Sequence, residues 1–512
     1  MNFAELLKPN VLNFGFAVIL SINAASVWGG VFPYFPVDAQ TSISTVSFYL
    51  MQLAAMATTY LAGLAIGWRN PCAIGRLGVL ACSLPLSMGS LILVSAMYIP
   101  SHTLPLIACA AFFVGLGSAL YMVEWQKAFA GRNGNESALA LITGAFYSAI
   151  VYFGICLIPA ALTAYLIPLV MVPLAGLCLW IALDRADSDR PSYSDVPAEH
   201  SAVYRSVLRE GAAPALCAGA LGFSMGAMRF VAITHQELVN TVNLISMAAL
   251  AAGALVLLLF WRKRALSFDL MGIYRVLFPL VGCGLLLLPF TGGIFATIGI
   301  AITYATATIV NIAIMMHCCH MARTSSINPL VTFSFYESIV YALQIVGYAV
   351  GYGSGIDHGF DVSQLAFVSV CALFVLLIAS VACSGGKKLH SNRLEFLMLN
   401  PERAGENVAK ELEVSKDLAR RNAGANEQPF EQSEVKDRVS KRCQKVKDQF
   451  ALSAREAEIM EFVARGQTAT SIAESLFISE NTVRTHLKRI YAKLGVHRKR
   501  EMLAIIENID EN

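Results

Sequence analysis

Residues 184–213 read DRADSDRPSYSDVPAEHSAVYRSVLREGAA, and their polarity sets them apart from the chain on either side. A helix that crosses a bilayer takes roughly 20 mostly apolar residues. Six such runs precede this stretch, near 11–33, 45–67, 76–98, 103–123, 137–160 and 162–183. Six more follow, near 213–235, 238–261, 270–290, 292–316, 331–353 and 363–384. The stretch therefore reads as the central connection of a 6+6 helical membrane body. The joins at Pro159 and at Thr291-Gly292-Gly293 are tight enough to leave eleven spans as the alternative.

Composition points the same way. Of 512 residues, 56 % are hydrophobic and 14 % charged, whereas soluble domains carry about a quarter charged residues. The net charge of +3 hides an uneven distribution, because Lys and Arg are sparse up to about residue 386 and dense beyond it. A basic tail suggests nucleic acid or anionic lipid as partner. Most of the twelve cysteines lie in apolar runs (Cys82, Cys109, Cys156, Cys178, Cys217, Cys283, Cys371) and read as reduced packing residues. The opening MNFAELLKPN lacks the basic, apolar and small-residue sections of a cleaved signal peptide.

Orientation follows from the short connections. With the N-terminus in the cytoplasm, the inward segments hold Lys8, Arg69, Arg76, Lys127, Arg132, Arg185, Arg190, Arg205, Arg209, Arg262, Lys263, Arg264, Arg323, Lys387 and Lys388. The outward loops hold Asp38, His102, Glu237, Asp357, His358 and Asp361 but no Lys or Arg. A multi-pass protein of the cytoplasmic (inner) membrane is expected, with both termini in the cytoplasm.

The 6+6 plan resembles the major facilitator superfamily, whose two halves pack around a central cavity. That family's loop between spans two and three carries Gly, Asp-Arg and Gly-Arg. Here GLAIGWRNPCAIGRLG (63–78) keeps Gly75-Arg76 and lacks the Asp, and the matching FWRKRALSFDLMG (260–272) is also degenerate. The departures bear on transport activity more than on the fold.

Charges within spans are costly. Arg229, in LGFSMGAMRFVAITH, lies in span seven toward its outer half, and Glu337, in TFSFYESIVYA, lies in span eleven. Two readings stand: Arg229 anchors an anionic ligand at a site shared with Glu337, or the two form an internal ion pair. Glu124, at the inner end of span four, reads as an interfacial residue. The tetrad His317-Cys318-Cys319-His320 reads as a polar helix end at the inner surface, since four consecutive residues do not surround an ion tetrahedrally. No metal or cofactor is expected. With no phosphate loop, no paired carboxylates in a soluble domain and no Ser/His/Asp arrangement, an enzyme is not expected either.

Three domains follow: a membrane body at 1–386, a flexible linker at 387–432 and a soluble unit at 433–512. The linker holds stretches such as NPERAGEN and RRNAGANEQPFEQ, with no sustained apolar face. Beyond it, SEVKDRVSKRCQKVKDQF (433–450) reads as a helix. Ser453 followed by Glu456 is a capping box that starts the next helix, which Gly466 stops. Thr468 and Ser479 cap two more. Projected at 100° per residue, Val483, Leu487, Ile490 and Leu494 form one apolar stripe. Asn481, Arg484, Thr485, Lys488 and Ala492 fall opposite, flanked by Arg489. That face suits base edges, with Arg489 and Lys493 suited to phosphates.

The stretch LSAREAEIMEFVARGQTATSIAESLFISENTVRTHLKRIYAKLGV (452–496) resembles the DNA-binding domain of LuxR-type transcription regulators. Matching positions include Arg455-Glu456, Gly466, Ile472-Ala473, Ser479, Thr482-Val483-Arg484, His486, Tyr491, Lys493-Leu494 and Gly495-Val496. The resemblance implies a four-helix domain whose third helix enters the major groove. It also implies a fourth helix, near 498–508, that pairs two copies on double-stranded DNA. Carried over by position, Arg484, Thr485 and Lys488 read bases, while Thr482 and His486 sit at the backbone. Ala469 stands where a phosphate-contacting Lys or Asn is usual. The whole layout is similar to membrane-bound LuxR-type regulators.

The expected fold is all-α, a polytopic bundle joined to a small helix-turn-helix domain. The leading function is a transcription regulator whose membrane body senses a small molecule of unknown identity and controls a DNA-binding tail. A transporter with a regulatory tail is the alternative, and a membrane scaffold the third reading.

Overall fold

The computed structural model describes residues 7–25, 41–71, 73, 78–132, 134–186, 191–234, 236–263, 267–287, 294–324, 327–355, 362–384, 393–395, 438–465, 472–473, 476 and 479–509. The first half of the body contains α1 (Val11–Asn23), α2 (Ser42–Arg69), α3 (Val79–Ala96), α4 (Thr103–Ala130) and α5 (Gly134–Cys156). Its last member, α6, runs as Ala160–Leu166, a π-helical turn Ile167–Met171 and Val172–Asp184. The second half contains α7 (Ser201–Thr234), α8 (Gln236–Lys263), α9 (Leu270–Leu287), α10 (Ile294–Thr324), α11 (Pro329–Gly355) and α12 (Val362–Ser384).

Eight of these helices are long and apolar enough to cross a bilayer. The described parts of the other four are shorter apolar helices, Val11–Asn23, Asn243–Leu259, Ile273–Leu286 and Ala366–Val381. Pro159 caps α6 and separates it from α5, so that join divides two helices. Large apolar side chains face outward, with Leu80 and Val276 each 71 % exposed. Such a surface is stable in lipid and not in water, where exposed apolar patches are small. The protein is a multi-pass membrane protein.

Local chemistry starts the helices. Asn10 and Asn13 cap α1 reciprocally, at 2.9 and 2.8 Å, and Thr41 Oγ1 accepts from Ser44 N at the start of α2. Within each half the helices pack in equivalent pairs: α1 on α5 and α2 on α4, then α7 on α11 and α8 on α10. Between the halves α2 meets α11 and α5 meets α8. Adding six to one member of each interface pair and subtracting six from the other exchanges the two pairs, as a pseudo-twofold axis requires. The α7–α11 contact is backbone-close. A Cβ at Gly226 would collide with Gln344 O, and one at Gly347 with Phe223 O. Small residues at these crossings let dispersion act at short range, where lipid removes any hydrophobic drive between helices.

A short antiparallel ribbon joins β1 (Ser267–Asp269), between α8 and α9, to β2 (Arg393–Glu395), just past α12. Three residues of the expected linker are thus paired, and the rest of it lies outside the described residues.

The tail has its own core. It comprises α13 (Arg438–Gln449), α14 (Ala454–Ala464), α15 (Glu480–Leu494) and α16 (Lys499–Asn508). Val446, Ile459, Met460, Ile472, Val483 and Met502 are buried together there. The helix expected at 433–450 is seen from Arg438, and the fourth helix matches its expected position. Of the helix expected after Thr468, only Ile472 and Ala473 are described as helical.

Candidate nucleic-acid interface and the buried polar centre of the body

Helix α15 is bounded at both ends by the local chemistry its sequence encodes. Ser479 Oγ accepts from Thr482 N at 3.1 Å, and Gly495 closes the helix with φ 68°, in the left-handed region where a Cβ is disfavoured. Val483 and Ile490 are fully buried and Leu494 nearly so, with Leu487 packed beside them. That stripe fixes which face turns out. Asn481, Thr482, Arg484, Thr485, Lys488, Arg489, Ala492 and Lys493 are all exposed, and His486 is half-buried at the edge. Thr485 donates its hydroxyl to Asn481 O at 2.8 Å.

Lys493 has a second task that local periodicity does not reveal. Its Nζ donates to Glu456 Oε2 at 2.7 Å and to Ala451 O at 3.1 Å. Glu456 is the reciprocal partner of the Ser453 cap, accepting from Ser453 N at 2.8 Å while Ser453 Oγ accepts from Glu456 N at 3.2 Å. The Lys493 hydrogen bond, followed by that of the Ser453 N–H, holds the Glu456 carboxyl down to about 2. One lysine thereby ties the last turn of α15 to the first turn of α14. Arg455 adds a brace, donating to Glu458 Oε2 at 2.7 Å and to Leu476 O at 3.1 Å.

In the body, Arg229 is fully buried on α7. Its guanidinium lies over the Tyr49 ring of α2, 4.3 Å from the centroid, and 5.8 Å from the Tyr304 ring of α10. Tyr49 belongs to the first half and Tyr304 to the second, so the cation bridges the halves through aromatic faces. Glu337 keeps different company: its Oε1 accepts from Asn311 Nδ2 at 3.0 Å. Glu337 and Asn311 line a narrow cavity with Thr308, Gln344, Gly222 and Met225. A second cavity lies between the halves, lined by Ala24, Tyr152, Asn243, Ser246, Tyr304 and Thr308. Thr308 borders both, and Tyr304 borders the second cavity while touching Arg229. Sequence reasoning found the two charges and missed the tyrosines, whose partners come from other spans.

Two sequence expectations differ from what is observed. Glu124 is buried at 1 % exposure, 3.8 Å from Lys127, because that lysine sits one turn along the same helix and reaches back. The tetrad at 317–320 is not a surface helix end, since α10 continues to Thr324 and Cys318 and Cys319 are fully buried. Cys319 Sγ accepts from Gln126 Nε2 at 3.4 Å, and His317 packs edge-on against Tyr336.

Residues 451–506 match the family described as bacterial regulatory proteins, luxR family. These residues form a LuxR-type helix-turn-helix domain. Over 45 residues the domain is 49 % identical to the "Probable transcriptional regulatory protein NarL" of Mycobacterium tuberculosis, covering 9 % of this chain and 21 % of that protein. It is 43 % identical over 56 residues to the spore germination protein GerE of Bacillus subtilis, covering 11 % of this chain and 73 % of that protein. The chain thus spans about a fifth of the length of the NarL relative. The body is similar in fold to a bacterial homologue of the iron transporter ferroportin in an outward-facing state, with TM-score 0.51 and 11 % identity over 74 % of this chain and 98 % of that one. A LuxR-type DNA-binding domain is therefore fused to a membrane body that shares its fold with that transporter homologue, and neither likeness is to an enzyme.

Proposed function

We propose that the chain is a membrane-embedded transcription regulator, in which the body senses a small molecule and controls the DNA-binding tail. The observation that carries this reading is the α15 surface, basic and polar along its outward face, on a LuxR-type domain continuous with a multi-pass membrane body. Arg484 and Lys488 donate to base edges, and Thr485, its hydroxyl already engaged, offers its methyl to thymine. Asn481, Thr482, His486 and Arg489 flank them and contact backbone. Lys493 serves phosphate only as far as its bond to Glu456 allows. Two copies pair through α16, whose Glu501 and Ala504 are exposed, because paired half-sites bind far better than one.

The basic connections argue for both termini in the cytoplasm and the body in the inner membrane, with 387–432 as the linker. The ligand enters from the opposite side toward Arg229, and the two adjoining cavities, with Glu337 in one, are the sensing region. An anion reaching Arg229 has to displace the Tyr49 ring, which converts ligand binding into a change between the halves. A genome-wide map of DNA contacts by the full-length protein in its own cells tests the reading. Discrete sites that vanish in an Arg484→Ala/Lys488→Ala variant are expected. Sites that persist in that variant refute the DNA-reading assignment.

A further inference from the structure

The connection between the halves does not hang free at the basic end. Tyr193 Oη donates to Lys127 O of α4 at 2.7 Å, and Ala198 N donates to Trp68 O of α2 at 3.0 Å. Both anchors belong to the first half. Asn328, fully buried where α11 begins, donates from Nδ2 to Tyr193 O at 3.1 Å, and its backbone N donates to Tyr204 Oη at 2.7 Å. That anchor belongs to the second half. Tyr204 Oη in turn donates to Asp195 Oδ2 at 2.8 Å, and His200 Nδ1 stands 3.1 Å from the other carboxylate oxygen. The Tyr204 ring meets Trp68 edge-on, in a small apolar cluster with Leu64, Met321, Ile327 and Val331. Nearby, Gln126 Nε2 of α4 donates to Met315 O of α10 at 3.3 Å, so the halves are also bonded directly at this end. The short helix Pro191–Ser194 within the connection also lies against α16 of the DNA-binding domain.

We propose that residues 191–204 form a coupling strap, which docks α16 while the basic end of the body is closed and releases it when that end opens. The inference rests on the reading of the chain as a ligand-controlled DNA reader and supplies its missing connection. The strap is anchored to both halves by directional bonds, so an opening between Lys127 and Asn328 pulls on them. The occupant of the strap is the chain's own α16, the helix whose pairing with a second copy favours DNA binding. Docking holds that helix against the body with Glu501 and Ala504 still exposed; release frees the helix to meet its counterpart.

The test uses the full-length protein in native membranes with a photo-activated cross-linking residue at Ala504, an exposed position on α16. Wild type is expected to give adducts within one chain, mapping to 191–204. Tyr193→Phe and Tyr204→Phe each remove a hydroxyl and keep the ring, so the packing on Trp68 survives. Tyr193→Phe, which loses one hydrogen bond, is expected to lower the intrachain adduct about fivefold; Tyr204→Phe, which loses two, is expected to lower it further, and both are expected to raise chain-to-chain adducts and DNA occupancy together. If one variant does not accumulate, the other carries the test. Wild type without adducts in 191–204, or variants with the wild-type pattern, overturns the strap while occupancy still depends on Arg484 and Lys488. Occupancy indifferent to Arg484 and Lys488 instead overturns the underlying function, and the strap's role with it.

Discussion

Replacing Lys493 with methionine separates two roles that one side chain has been given, phosphate contact and internal tie. The tie is between a lysine side chain 40 % exposed and a Glu456 side chain 6 % exposed, 2.7 Å apart. Exposed pairs contribute up to about 1 kcal/mol, and removing one partner of a fully buried pair costs about 3–5 kcal/mol. With water reaching the lysine end but not the carboxylate, the loss falls between, at roughly 1–2 kcal/mol. For a domain of this size that lowers the melting midpoint by roughly 5–15 °C. The measurement suits a fragment beginning at Arg438, because the tail has a core of its own. Acid gives an independent check. Glu456 is held near 2 against an ordinary value of 4.5, so its contribution is complete above about pH 4.5 and drains away as pH falls toward 2. In Lys493→Met that descent is expected to flatten. An unchanged midpoint at pH 7 together with an unchanged acid descent refutes the tie. Weakened DNA binding with unchanged stability would return Lys493 to the phosphates.

Gly226→Ala puts a methyl against the Gln344 carbonyl of α11, and overpacking of this kind costs about 1–3 kcal/mol or more. Lower thermal stability in detergent is expected, with Gly353→Ala, which meets nothing within 4 Å, as an unaffected control. Arg489→Ala is expected to weaken binding to all sequences alike and to reduce the slope of log affinity against log salt by about 1. A change in sequence preference without a change in slope would make Arg489 a base reader.

What the sequence disclosed depends on how far apart the interacting residues lie. Ser479 capping Thr482, the buried stripe of Val483, Ile490 and Leu494, and the closing Gly495 act within one or two helical turns, so they were legible. Spans were legible because apolar length is a property of the run itself. The sequence suits Lys493 to phosphate and does not show its tie to Glu456, because that partner is 37 residues away. The cost of burying Arg229 was evident, but the Tyr49 ring that accommodates it belongs to the other half of the body. The tetrad at 317–320 was misplaced because helix α10 extends past it, and a helix end set by tertiary packing has no local signature.

The same distinction bears on how a signal crosses this molecule. The halves meet through α2–α11 and α5–α8, and covalently only through the connection that carries the strap. A shift of about an ångström between Lys127 O and Asn328 is enough to carry a bond near 3 Å out of hydrogen-bonding range. The other route is the chain between Glu395 and Arg438. That route starts at β2. Among the described residues, pairing of Arg393–Glu395 with Ser267–Asp269 anchors that start to the second half. A tail that responds to the body therefore has to touch an element that feels both halves, and among the described residues the connection at 191–204 is anchored to both and lies against α16.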